Sequence, residues 1–291
     1  MHSDTPEAAG GRDPHASAPE DPTGDPLAEA HRSAAHAADR LTTRLGIGRA
    51  DLAVVLGSGW SGGRNSLGEV IGRCPMAELP GFSEPVVAGH GGEALAVRTA
   101  AGRTALLFTG RTHLYEGRGV DPVVHAVRTA AAAGAGVLVL TNGCGSLQPG
   151  WGPGTPVMLR DHINLTGVSP LRGPLFVDMT EAYSARLRTA VRTIRPAIPE
   201  GVYVQFRGPQ YETPAEVEMA RRAGGDLVGM STAVETIAAR EAGMEVLGLS
   251  LVTNLAAGVA HHPLDHAEVL AAGRAAEPVL QSLLADLMEV L

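Results

Sequence analysis

Short runs of aliphatic and β-branched residues recur along the chain, each closed by glycine or a polar cluster, and longer stretches with helical spacing lie between them. The spacing predicts a helix over 27–45 that stops at Gly46. Leu52 to Leu56 then reads as a buried strand ending in the tight turn Gly57-Ser58-Gly59. Glu93–Thr99 and Thr104–Thr109 read as two strands joined by a hairpin turn at Ala101-Gly102-Arg103. A helix over Val120–Ala133 stops at Gly134, and a strand over Val137–Leu140 runs into Thr141-Asn142-Gly143-Cys144-Gly145. The second half repeats the alternation. Thr155–Leu159 is a strand, and Thr180 caps a helix over 181–195 that Pro196 ends. Val202–Phe206 is a strand, and Thr213-Pro214 opens a helix to about Ala223. A helix over 232–242, begun by Ser231 or Thr232, stops at Gly243. Glu245–Val252 is a strand ending at Asn254, and a last helix starts near Asp265. This alternation predicts one α/β domain, a central mixed sheet flanked by helices, over residues 27–291. Residues 1–26 carry five prolines (Pro6, Pro14, Pro19, Pro22, Pro26) among Asp, Glu, Ser and Gly, and read as a disordered tail that cannot bury enough apolar surface to offset chain entropy.

Composition narrows the function. The 291 residues carry a formal charge of −8, which argues against nucleic acid as a partner. No apolar run approaches the roughly 18 residues of a membrane span. The polar, Pro-rich start has no secretory h-region, so the expectation is a soluble cytoplasmic protein. The 2 cysteines, Cys74 and Cys144, are too few for a disulfide framework or a cysteine zinc site. All basic side chains are arginine, which excludes the P-loop and lysine Schiff-base chemistry.

Candidate chemistry gathers at strand ends. Gly110-Arg111-Thr112-His113-Leu114-Tyr115-Glu116-Gly117 follows a buried run, and open α/β sheets place their sites at such ends. In extended backbone Arg111 and His113 leave the same face, a clamp for an oxyanion. The plain alternative is a surface loop with an Arg–Glu ion pair. Gly57–Gly62 matches G-x-G-x-x-G, but Gly63-Arg64-Asn65-Ser66 is a poor helix start, so a dinucleotide site is disfavoured against a turn offering Ser58 to a single phosphate. His90, among glycines, either moves onto a ligand or lies in solvent. Gly143 offers backbone N–H to an anion, while Cys144 reads as a packed residue. His262 and His266 have metal-like spacing, but Pro263 prevents one helix through both, so no metal is expected. Glu212, beside Tyr211 and just before a helix, is either a helix-end charge or an acceptor beside a stacking ring.

Taken in order, Leu56-Gly57-Ser58-Gly59, Gly89-His90, Gly110–Gly117, Thr141-Asn142, Arg160–Leu165, Gly208-Pro209 with Tyr211–Pro214, Gly229–Thr232, Thr253-Asn254 and His266–Val269 resemble the trimeric class of purine nucleoside phosphorylases. The resemblance covers about residues 40–290. It implies a nucleoside phosphorylase-like fold in which 27–291 is the catalytic domain. The reaction it implies is transfer of a (deoxy)ribosyl group from a purine nucleoside, inosine or guanosine, to orthophosphate, with no metal or organic cofactor. By this similarity Ser58, His90, Arg111, His113, Gly143 and Ser231 hold phosphate, and Tyr115, Met230 and His266 meet the ribose. Tyr211, Glu212 and Asn254 hold the purine, and His113, Glu212 and Asn254 carry the chemistry. A homotrimer is implied. The alternatives are a methylthioadenosine phosphorylase, expected to have aspartate in place of Asn254, an NAD-dependent oxidoreductase, and a non-catalytic nucleoside-binding module. Tyr211 stands where the family more often has phenylalanine, and Gly143-Cys144-Gly145 where it usually reads Ala-Ala-Gly. Val168 aligns with a phenylalanine that some members lend to the neighbouring subunit.

Overall fold

The computed structural model describes residues 26–83, 92–260 and 264–291. The expected tail, apart from Pro26, lies outside the described residues, as do His90 and His262 and the side chain of His266. The elements are α1 (Pro26–Leu45), β1 (Leu52–Val55), β2 (Glu69–Pro75), β3 (Glu93–Arg98), β4 (Thr104–Phe108), α2 (Val120–Ala132), β5 (Val137–Ser146) and β6 (Pro156–Asn164). They continue with α3 (Ala185–Ile194), β7 (Glu200–Gln205), α4 (Pro214–Arg222), β8 (Leu227–Gly229), α5 (Ala233–Glu241), β9 (Glu245–Leu255) and α6 (His266–Val290).

The sheet is mixed, in the order β2-β3-β4-β1-β5-β8-β7-β6-β9, and β9 also pairs with β5. That extra pairing closes β5, β8, β7, β6 and β9 into a ring, from which β1, β4, β3 and β2 extend as an open wing. The central strands β1, β4, β5 and β9 are buried nearly throughout and correspondingly apolar, as strands covered on both faces must be. One core layer packs α1, α2 and α5 against one side of the sheet, with Leu41, Val124, Val127 and Ala238 inside it. A second sets Leu280, Leu284 and Leu287 of α6 against Val54, Leu107 and Leu249.

The expected mixed α/β domain is present, with several local differences. β5 does not stop at Leu140 but continues to Ser146, because β9 pairs with it to the end, Ser146 opposite Leu255. A partner strand supplies hydrogen bonds that override the low strand propensity of Asn142-Gly143-Cys144-Gly145. β6 likewise runs on past Leu159, paired with β7. Two strands, β2 and β8, have no counterpart in the sequence reading. The third helix starts at Ala185 rather than 181, and its cap is Ser184, not Thr180. The Ser184 hydroxyl accepts from Leu187 N–H at 3.3 Å and donates to Glu245 at 2.6 Å. Tyr183 is fully buried with its hydroxyl 3.2 Å from His162, and this packing holds the preceding residues out of the helix. No helix among the described residues is long and apolar enough to cross a membrane.

Candidate active site

The site forms where β1 and β5 part company. β1 ends beside Leu140 while β5 runs on, and the turn after β1 fills the gap. Gly57 N–H donates to Thr141 Oγ1 at 3.0 Å, and the Trp60 indole donates to the Asn142 carbonyl at 2.8 Å. A Cβ on Gly57 would lie 2.3 Å from Arg111 Nη1 and 2.4 Å from the Thr141 carbonyl, so only glycine lets the guanidinium cross there. Gly62 lies inside a short 3-10 turn, Ser61–Asn65, and the next element is β2 rather than a long helix, which removes the basis of the dinucleotide reading.

Ser58, Arg111, His113, Gly143 and Ser231 converge on one cavity. Arg111 follows β4, donates through Nη1 to the Thr141 carbonyl, and is paired through Nε with Glu235 Oε1 at 3.0 Å. The partner is therefore Glu235 on α5, not the neighbouring Glu116 of the plain ion-pair reading. Glu116 instead accepts from His113 N–H at 2.7 Å and closes a capping box on the 3-10 turn Leu114–Glu116. The imidazole of His113 stacks on the Tyr115 ring, centroids 4.7 Å apart and planes 12° apart. Burial, reinforced by Glu116, pushes the Tyr115 phenol up to about 12, so it remains a neutral hydrogen-bonding group.

Ser231 reaches the cavity through an unusual backbone. Thr232, the N-cap of α5, has φ 82 and ψ −53, and it is the only non-glycine residue at positive φ among the described residues. For a β-branched residue this costs about 1–3 kcal/mol. Its hydroxyl accepts from Asn142 Nδ2 at 2.9 Å, its N–H donates to Glu235 Oε2 at 2.7 Å, and Ser231 N–H donates to the buried Tyr203 hydroxyl at 3.3 Å.

The same cavity carries further side chains of different chemistry. Tyr115, Tyr211, Glu212, Val228, Met230, Asn254, Ala256 and Val269 line it as well. Met230 and Tyr115 both pack on Gly208, whose Cβ would stand 2.4 Å from the Met230 sulfur. Glu212 is 8% exposed, and its Oε1 is buried with no hydrogen-bond partner among the described residues. Desolvation raises its pKa, a backbone hydrogen bond opposes the rise, and Glu216 adds to it. The Asn254 amide is oriented by neighbours. The Thr253 hydroxyl donates to its Oδ1 at 2.9 Å, and its Nδ2 donates one hydrogen to the Leu255 carbonyl at 3.0 Å. Cys144 also lines the cavity, but burial pushes its thiol pKa strongly up, so it is a packed residue and not a nucleophile.

Ten of the residues singled out in the sequence thus meet in one cavity: Ser58, Arg111, His113, Tyr115, Gly143, Tyr211, Glu212, Met230, Ser231 and Asn254. His90 and the His266 side chain lie outside the described residues; the His266 backbone opens α6 after the Asp265 cap. Glu235 has no place in the sequence reading, and Thr253 enters it only as the neighbour of Asn254, with no role of its own. The Thr232-x-x-Glu235 spacing is a capping-box signature, but it does not reveal that the second carboxylate oxygen holds Arg111.

The cavity thus gathers an arginine, a histidine and two serines together with a buried carboxylate and an amide, beside the end of β1, where open α/β sheets place their sites. The chain belongs to the phosphorylase superfamily, whose family model matches residues 51–289, and within it to the purine nucleoside phosphorylases. It is 56% identical over 270 residues to the purine nucleoside phosphorylase of Cellulomonas sp, covering 91% of this chain and 96% of that one. It is 54% identical to the Mycobacterium tuberculosis enzyme of the same name, covering 91% and 98%, and 37% identical to the Bos taurus one, covering 82% and 89%.

Proposed function

We propose that this chain cleaves 6-oxopurine nucleosides, inosine and guanosine and their 2′-deoxy forms, by phosphorolysis to the free base and (deoxy)ribose 1-phosphate. Phosphate is a co-substrate, and neither metal nor organic cofactor takes part. The observation that carries this reading is the buried Glu212 carboxylate, unpartnered among the described residues, facing the same cavity as the Asn254 amide and the Arg111 cluster. Ionised Glu212 accepts the N1 proton of hypoxanthine or guanine. Adenine presents a lone pair there, which leaves a buried carboxylate unpaired at a cost of about 1–3 kcal/mol or more.

Ser58, Arg111, His113, Ser231 and the backbone at Gly143 hold the phosphate dianion, with His90 as a further ligand. Held under C1′, the dianion is both nucleophile and counter-charge to an oxocarbenium-like sugar, and positioning makes its attack effectively unimolecular. Tyr115, Met230 and His266 seat the ribose. As the glycosidic bond breaks, electrons flow into the purine. The second N–H of Asn254 Nδ2 then donates to N7, a contact that strengthens in the transition state. Tyr211 stacks on the base. The enzyme works in the cytoplasm as a homotrimer, which light scattering on the purified protein tests.

The direct experiment is inosine turnover with and without phosphate, with adenosine alongside. Phosphate-dependent release of hypoxanthine and no release of adenine is expected. Cleavage of adenosine in preference to inosine refutes the Glu212–Asn254 assignment, and binding without turnover refutes the enzymatic one.

A further inference from the structure

The guanidinium of Arg111 is held by the Glu235 carboxylate as well as by the Thr141 carbonyl. Glu235 Oε1 accepts from Arg111 Nε at 3.0 Å, and Oε2 accepts from Thr232 N–H at 2.7 Å. Both side chains of the ion pair are 2% exposed. Glu235 therefore ties the loop after β4 to the residues that open α5, where Ser231 faces the same cavity. Thr232 is held at its unfavourable φ from the other side by the Asn142 amide, so carboxylate and amide together define where the Ser231 hydroxyl lies.

Arg111 and Glu235 also line a second, small cavity on their far side, walled by Met76, Phe82, Val123 and Ala126. Of the two, Arg111 lines the substrate cavity as well. The Gly57 backbone closes in on the guanidinium at Nη1, and the charge-assisted hydrogen bond from Nε to Glu235, directional and short, sets its direction.

We propose that Glu235 is a positioning residue for phosphate: without touching substrate, it fixes Arg111 and Ser231 in one mutual geometry. The proposal rests on the reading of the Arg111 cluster as the phosphate site. It predicts an effect on phosphate that is separate from the nucleoside and that disappears when Arg111 is absent.

The experiment measures KM for phosphate and for inosine in wild type, Arg111→Ala, Glu235→Gln and the double variant, with thermal melting as a check on folding. Glu235→Gln is expected to raise the phosphate KM by about ten-fold or more while the inosine KM changes by less than about two-fold. In the Arg111→Ala background it should add little, because the two residues act as one unit. An unchanged phosphate KM in Arg111→Ala removes the phosphate-site reading itself. A raised phosphate KM in Arg111→Ala with none in Glu235→Gln overturns only the role of Glu235. So do equal rises in both KM values, or a full additional factor in the double variant. If Glu235→Gln does not fold, Glu235→Asp keeps the charge and shortens the reach; a selective rise in phosphate KM supports the proposal and its absence overturns it.

Discussion

Glu212 carries the clearest residue-scale expectation. Its folded pKa is raised by desolvation above the ordinary value of 4.5. A raised carboxyl pKa favours folding below the unfolded pKa, and that contribution is lost as pH rises through the folded value. The empty protein therefore pays a penalty at neutral pH for keeping this group ionised, and a 6-oxopurine N1–H relieves it. The KM for inosine should rise as pH falls through the raised pKa, beginning above 4.5, and Glu212→Gln should remove that dependence. A pH-independent inosine KM between pH about 4.5 and 7 would show that Glu212 does not meet the base ionised. The identity of Glu212 as a candidate was legible from its place between a tyrosine and a helix start. Its burial was not, because the residues that share its cavity, Val228, Ala256 and Val269 among them, come from other parts of the chain.

Elements were read best where local chemistry decides and worst where a distant partner does. The Thr213 cap is of the first kind. Its hydroxyl accepts from Glu216 N–H at 3.2 Å while Glu216 accepts from Thr213 N–H at 2.7 Å, and Pro214 takes the first helical position. Thr213→Ala should cost about 1 kcal/mol of stability. Because Glu212 immediately precedes the cap, the same change should raise the KM for inosine and leave that for phosphate unaltered, which steady-state kinetics will read. β5 is of the second kind. Asn142-Gly143-Cys144-Gly145 looks like a strand terminus, and only the pairing with β9 keeps it extended. That extension brings Gly143 beside Ser58 and Gly145 beside the Asn254 amide, so one strand underlies both of these cavity residues.

At the scale of the molecule, the alternation of strands and helices led to the right class of fold, but the closing of one end of the sheet into a ring depends on β8 and on the double partnering of β5, neither visible in a three-residue apolar segment. Burial has a chemical consequence as well. Cys74 and Cys144 are both free and buried, and desolvation is the largest cause raising each thiol pKa. A disulfide-exchange reagent should find essentially no reactive thiol in the native protein and both after denaturation. Rapid native labelling of Cys144 would mean that the cavity opens more widely than its walls indicate. The ring leaves β2 as the only strand with a single partner among the described residues. A bare strand edge invites another chain to hydrogen-bond to it, yet β2 carries Glu69 and Arg73, a break in register between Val70 and Gly72, and Pro75 at its end. Edge-to-edge fibre growth through β2 is thus obstructed by charge, kink and a missing donor.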